Sequence, residues 1–165
     1  MKKISLKLFE ILDLKAELQG AKNQETGEVR LEGLLAQKLP ITTVKYWLDS
    51  LVNTLAEEEK SIEAVRQELI KQYGKENENG ELFIPVAQPK KNPEDSTEPM
   101  YYTEEYIKFM NEYNEFLVSN EKEVSIKEIK LEDLKDVNTT DNYPLVYKYL
   151  VITPIEEPSA EVTAE

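Results

Sequence analysis

The sequence predicts an α+β fold, mainly α, in which a long central helix has antiparallel helical partners and a small β element. Three observations carry this expectation. Val44, Leu48, Leu51, Leu55, Glu58, Ile62, Val65 and Leu69 follow one another at alternating spacings of four and three, a heptad seam with one polar interruption. Tyr106, Met110, Tyr113 and Leu117 repeat the same spacing. Val124 and Ile126, and then Ile129 and Leu131, alternate over stretches long enough only for short strands.

The elements follow in order. Ser5 is placed to cap a first helix over 5–19, with Leu8, Ile11, Leu12 and Leu18 on one stripe and Gly20 to end it. Ile4 to Leu8 also alternates as a strand would. The polar run from Ala21 to Arg30 reads as a loop, and Leu31 to Lys38 as a short helical piece stopped by Leu39-Pro40. Residues 43–73 form the long helix, capped by Thr42 or Thr43 and closed by Gly74 as a left-handed residue. It would be about 46 Å long, so it crosses the domain or projects from it, since a compact globule of this size has a radius of gyration of about 15 Å.

Asn79-Gly80 suits a two-residue hairpin turn ahead of Leu82-Phe83-Ile84. Pro85, Pro89, Pro93 and Pro99 then punctuate a mobile loop over 85–100. The helix over 103–119 pairs with the spine as a helical hairpin. The first helix and this one, about 22 and 25 Å long, laid end to end would match the spine. The two alternating runs at 124–131 are out of phase, as a strand with a bulge near Lys127 or Glu128 requires. Leu131 to Leu134 is a helical turn, and 144–152 a turn of helix leading into an extended end, with an edge strand as the other reading. Residues 1–152 are expected as a single domain and 153–165, which carry no basic residue, as a disordered acidic tail.

Composition removes most familiar chemistry. The 165 residues include neither cysteine nor histidine, which excludes disulfides, thiolate nucleophiles, zinc sites of the usual kind and histidine-based acid–base pairs. A formal charge of −13 disfavours phosphate backbones and anionic membranes. Charged residues interrupt every apolar stretch, so neither a signal-peptide core nor a membrane span is expected, and the cytoplasm is the expected compartment. Glu57, Glu58, Glu59 and Glu63 are the densest carboxylates. Their simplest role is a solvated helix face, with a hard-metal site as the competing one. Glu76 to Val86 lacks the first aspartate and the bidentate glutamate of a calcium loop. No two glycines lie closer than six residues, which leaves no phosphate-cradling loop. No catalytic residue, cofactor or metal is therefore expected.

Tyr101, Tyr102, Tyr106, Phe109, Tyr113 and Phe116 resemble a base-stacking platform only superficially, because the helix offers Lys108 against Glu104, Glu105, Glu112 and Glu115. Core packing and a protein interface suit them better. Trp47 reads as an anchor of the fold. Glu58 either fills a gap in the seam or faces a partner chain and sets register, in which case the protein is an oligomer. The candidate interaction residues are thus Glu58, Tyr101, Tyr102, Tyr106, Phe109 and Tyr113.

Gly33-Leu34-Leu35-Ala36-Gln37-Lys38-Leu39-Pro40, Val44-Lys45-Tyr46-Trp47-Leu48, Glu57-Glu58-Glu59-Lys60 and Val65 through Gly74, followed by Glu78-Asn79-Gly80, resemble small helical proteins of unassigned activity encoded by tailed bacteriophages. The likeness covers about Gly33 to Leu134, including Glu123-Val124-Ser125-Ile126, and departs at the proline-rich loop and the acidic tail. It implies a setting and no site: a non-enzymatic minor virion or assembly component in the host cytoplasm or virion, with other phage structural proteins as partners. The alternative is an acidic DNA mimic that inhibits a host nuclease or polymerase. A small carboxylate-dependent metalloenzyme is the third class.

Overall fold

The computed structural model describes residues 1–92, 94–137 and 140–152; Pro93 of the proline-rich loop and the predicted tail at 153–165 lie outside the described residues. The fold is α+β and mainly α. Its contacts gather into two compact units. The first comprises Met1–Ser5, Leu12–Leu55 and the described residues from Glu123 onward, and the second Leu6–Ile11 and Ala56–Lys122.

The N-terminus corrects the sequence reading. Lys2–Lys7 is a strand, β1, and helix α1 begins only at Leu8 and runs to Gln19. Ile4 and Leu6 are buried while Ser5 is exposed, so the alternation decided the conformation and Ser5 lies inside the strand rather than at a helix cap. Along α1, Leu8, Ile11, Leu14 and Leu18 are buried and Leu12 only half so.

The predicted loop and short helix after Gly20 are mostly a hairpin: β2 (Gly20–Lys22) pairs antiparallel with β3 (Val29–Glu32). Its polar residues supply the turn chemistry. Asn23 Oδ1 accepts from the Glu25 amide at 2.9 Å, and Gly27 adopts φ +72°. Only Leu34–Ala36 forms a tight helical turn.

A π-type turn at Ile41–Lys45 leads into α2, Tyr46–Tyr73. Thr42 and Thr43 lie inside that turn rather than at a cap. The Pro40 carbonyl instead accepts from the amides of Val44 and Lys45 at 3.2 and 2.9 Å. Val44, Leu48, Leu51 and Leu55, the first half of the seam, are buried in the first unit.

The single bulged strand expected at 124–131 is two strands in different sheets. Glu121–Ile126 (β6) pairs with β1, whereas Ile129–Lys130 (β7) pairs in parallel with Val151–Ile152 (β8). The break in phase marks a change of partner. Between β7 and β8 lie a helical turn at Leu131–Leu134 and a short helix, α4, over Pro144–Tyr149, as the sequence suggested. Two buried contacts secure this end of the chain. Glu17 accepts from the Leu145 and Val146 amides, and the Tyr143 hydroxyl donates to the Glu32 carbonyl at 2.8 Å.

In the second unit, β4 (Lys75–Glu76) and β5 (Leu82–Phe83) form a small antiparallel pair. Its turn is longer than two residues: Asn77 Oδ1 accepts from the amides of Asn79 and Glu81, each at 2.9 Å, and Gly80 takes φ +77°. Gly74 is not left-handed, since positive φ is confined to Gly20, Gly27 and Gly80 among the described residues. A side chain at Gly74 would instead collide with the Ile70 carbonyl.

Helix α3, Glu104–Ser119, is capped by Thr103, whose hydroxyl accepts from the Tyr106 amide at 3.1 Å and donates to the Pro85 carbonyl. Tyr73 donates to Glu112 at 2.6 Å, Tyr113 lies in the field of Arg66, Glu63 and Glu59, and Lys122 meets Glu58. Rising numbers from α3 into β6 therefore meet falling numbers on α2, which makes α2 and α3 antiparallel. Among the described residues of 56–122, only Ile62 and Phe109 are buried. The seam residues Val65 and Leu69 stay half-exposed.

Candidate interaction surface

The proline-punctuated segment is organised by hydrogen bonds at its base and its tip. At the base, Ala87 and Tyr102 form an antiparallel bridge, Gln88 N donates to Tyr101 O at 2.8 Å, and Thr103 N donates to Val86 O at 3.1 Å. At the tip, the Glu98 carboxylate accepts from the amides of Lys91 and Asn92 at 2.9 and 3.0 Å. Asp95 accepts from the hydroxyl and the amide of Thr97, and these bonds hold its carboxyl below the usual range.

This base carries the largest exposed apolar side chains of the second unit. Met100, Tyr101 and Tyr102 are 68, 63 and 60% exposed, and Leu82, Phe83, Val86 and Ile107 are also exposed. Extended residues alternate sides, so Tyr102 leaves the bridge beside Ala87, and Tyr101 on the opposite side with Gln88 across from it and Val86 diagonal to it. The result is a ridge with tyrosine on both flanks. Tyr102 continues into α3 through a ring contact with Tyr106 at 5.1 Å between centroids.

The six candidate residues therefore divide into three groups. Tyr101, Tyr102 and half-buried Tyr106 belong to the ridge. Phe109 is buried and stacks on Tyr113 at 5.8 Å, so these two serve the packing of α3. Burial raises the Tyr113 hydroxyl above its usual pKa, against a lowering influence from Arg66. Glu58 sits apart, with Lys122 Nζ 3.9 Å from its carboxylate and 29% of its side chain exposed. Sequence reading missed Val86 and Met100, because the prolines around them indicated a loop, and it read Leu82 and Phe83 as a short strand without assigning them to a surface. The available signal was the unbroken apolar run Met100-Tyr101-Tyr102 following Pro99.

The lysine beside Glu58 fits the gap reading of the seam. Glu58→Leu is expected to change stability by less than about 1 kcal/mol, or to raise it, because a half-exposed ion pair contributes little. Light scattering should show the same oligomeric state for both proteins. A new assembly would mean that Glu58 sets register against a partner chain.

The carboxylates of α2 are engaged pairwise. Glu57 binds Lys60 at 3.1 Å, and Glu63 binds Arg66 at 3.0 Å and Gln67 at 2.8 Å. Among the described residues, no cluster of three or more acidic side chains has the spacing to hold a metal ion. No described helix is long and apolar enough to cross a membrane. Trp47, half-buried, carries Lys127 over its ring at 4.8 Å and Tyr46 edge-on at 5.1 Å. Compared with family models, curated proteins and solved structures, the chain matches none of them.

Proposed function

We propose that this chain works without catalysis, by protein–protein contact through the tyrosine ridge, as a minor virion or assembly component of a tailed bacteriophage. The observation that carries the contact role is the exposure of Met100, Tyr101 and Tyr102 on a hydrogen-bonded ladder, since exposed aromatic and methionine side chains are the residues enriched in interfaces. Ordering that ladder in advance lowers the entropy lost on docking. The resemblance read in the sequence over about Gly33 to Leu134 supports the setting.

The DNA-mimic reading draws on the charge of −13. Against it stand Lys60, Arg66 and Lys71, each paired to a glutamate three residues earlier along α2, which break any row of carboxylates at phosphate-like intervals. Proteomics of purified virions and of particles in assembly tests the setting: the chain is expected in one of them. Finding it only with a host nuclease or polymerase would overturn the assignment.

The chain should not itself bind duplex DNA measurably at physiological salt, because its net charge opposes the phosphates. A band-shift titration to micromolar protein should show free DNA throughout. A salt-sensitive complex would contradict this and direct attention to Lys90 and Lys91.

A further inference from the structure

We infer that the partner of the tyrosine ridge is a different protein presenting an apolar surface ringed by lysine and arginine, and that the ridge is not a self-association site. The inference rests on the contact role proposed above and names the chemistry of the partner.

Charge along the segment that carries the ridge is the first support for it. Between residues 78 and 112 the acids are Glu78, Glu81, Glu94, Asp95, Glu98, Glu104, Glu105 and Glu112, against Lys90, Lys91 and Lys108, so eight minus three leaves a net −5. Lys108 is already engaged by Glu104 at 3.0 Å. Two copies meeting through this segment would bring two net-negative segments together, which opposes a homodimer there. A partner with a basic rim gains where a second copy loses.

The aromatic geometry points the same way. The Tyr102 and Tyr106 rings meet at 39°, and tyrosine faces attract ammonium and guanidinium groups by their quadrupole. Tyr102, 60% exposed, therefore offers ring surface to an arginine or lysine on this flank. Val86 and Tyr101 on the other flank offer apolar surface to whatever packs behind it.

Site-specific photocrosslinking in the cells where the chain is naturally made tests this. Benzoylphenylalanine is placed at Tyr101 in one variant and at Tyr102 in another, with Glu25 on the β2–β3 turn as the control position, and the crosslinked peptides are sequenced. At either ridge position, at least a tenfold excess over the control is expected, in peptides of one other protein that contain lysine or arginine beside apolar residues. Raising the salt during crosslinking should reduce the yield severalfold. No excess over the control at either position would defeat the contact role itself. A strong crosslink to neutral or acidic peptides would leave that role standing and overturn the basic partner. A crosslink to the chain's own ridge peptides would overturn both the partner chemistry and the exclusion of self-association.

Discussion

Replacing Glu17 by alanine is expected to lower stability by about 3 kcal/mol, because it strands two amide donors at the start of α4. Oε1 of Glu17 accepts from Leu145 N at 2.9 Å and from Val146 N at 3.1 Å, while Oε2 lies 3.2 Å from Leu145 N. The residue is only 5% exposed, so water is poorly placed to replace the lost acceptor. Glu17→Gln is the informative companion. It keeps an oxygen at the position that both amides address and removes the buried charge, so at pH 7 it should fall within about 1 kcal/mol of the wild type.

The pH dependence has a definite sign. Burial raises the Glu17 carboxyl above its usual pKa, the amides of Val146 and Leu145 partly oppose that shift, and the charge of Asp13 adds to it. The folded state thus holds this proton more tightly than the unfolded chain. The stabilisation is fully present below the unfolded value of about 4.5 and is lost as pH rises through the folded pKa. Urea titrations of wild type and Glu17→Gln should therefore diverge as pH rises through that window, with the variant gaining relative to the wild type. Parallel curves would mean that folding leaves this proton's affinity unchanged, and a relative loss for glutamine on raising the pH would show that the carboxylate prefers its charged form in the fold; either outcome contradicts the account.

Gly33→Ala should be at least as damaging, at about 3 kcal/mol or more, for a reason of space rather than hydrogen bonding. A methyl group there would lie 2.5 Å from the Leu18 carbonyl oxygen and 2.6 Å from that of Gln19. Both are backbone atoms at the end of α1, so no side-chain rotation relieves the collision. Gly27 provides the contrast: it has φ +72° but nothing within 4 Å of the added methyl, so Gly27→Ala should cost only about 1 kcal/mol of backbone strain. Equal unfolding midpoints for the two variants would mean that the Gly33 backbone does not lie against the end of α1.

The long helix was legible because a seam needs only one period, and the period was unbroken from Val44 to Leu69. What that period did not reveal is how far burial follows it: coverage is complete to Leu55 and includes Ile62, while Val65 and Leu69 remain half-exposed. The helix expected over 103–119 was legible on the same spacing, but Thr103 caps it rather than opening it. The N-terminal strand was visible in Ile4-Ser5-Leu6, but the helix expected over 5–19 overlaps it at three residues, and only pairing with β6 decides between them. That pairing joins residues more than a hundred positions apart. The same long-range dependence hid the split of 121–130 between two sheets, and it hid Glu17, whose amide partners lie 128 and 129 residues away. For the ridge, residue types were readable and exposure was not. Tyr101 and Tyr113 are the same residue a few turns apart, and only their neighbours make one an exposed edge and the other part of the α2–α3 contact.

Affinity purification from the native setting tests the central claim most directly, comparing the wild type with a Tyr101→Ser/Tyr102→Ser double variant. Both side chains are about 60% exposed, so the substitutions should leave the unfolding transition within about 1 kcal/mol of the wild type. A protein that copurifies with the wild type in fixed ratio should be lost, or reduced at least tenfold, from the variant. Recovery of that protein in the same ratio from a folded double variant would contradict the assignment of the ridge as the contact surface.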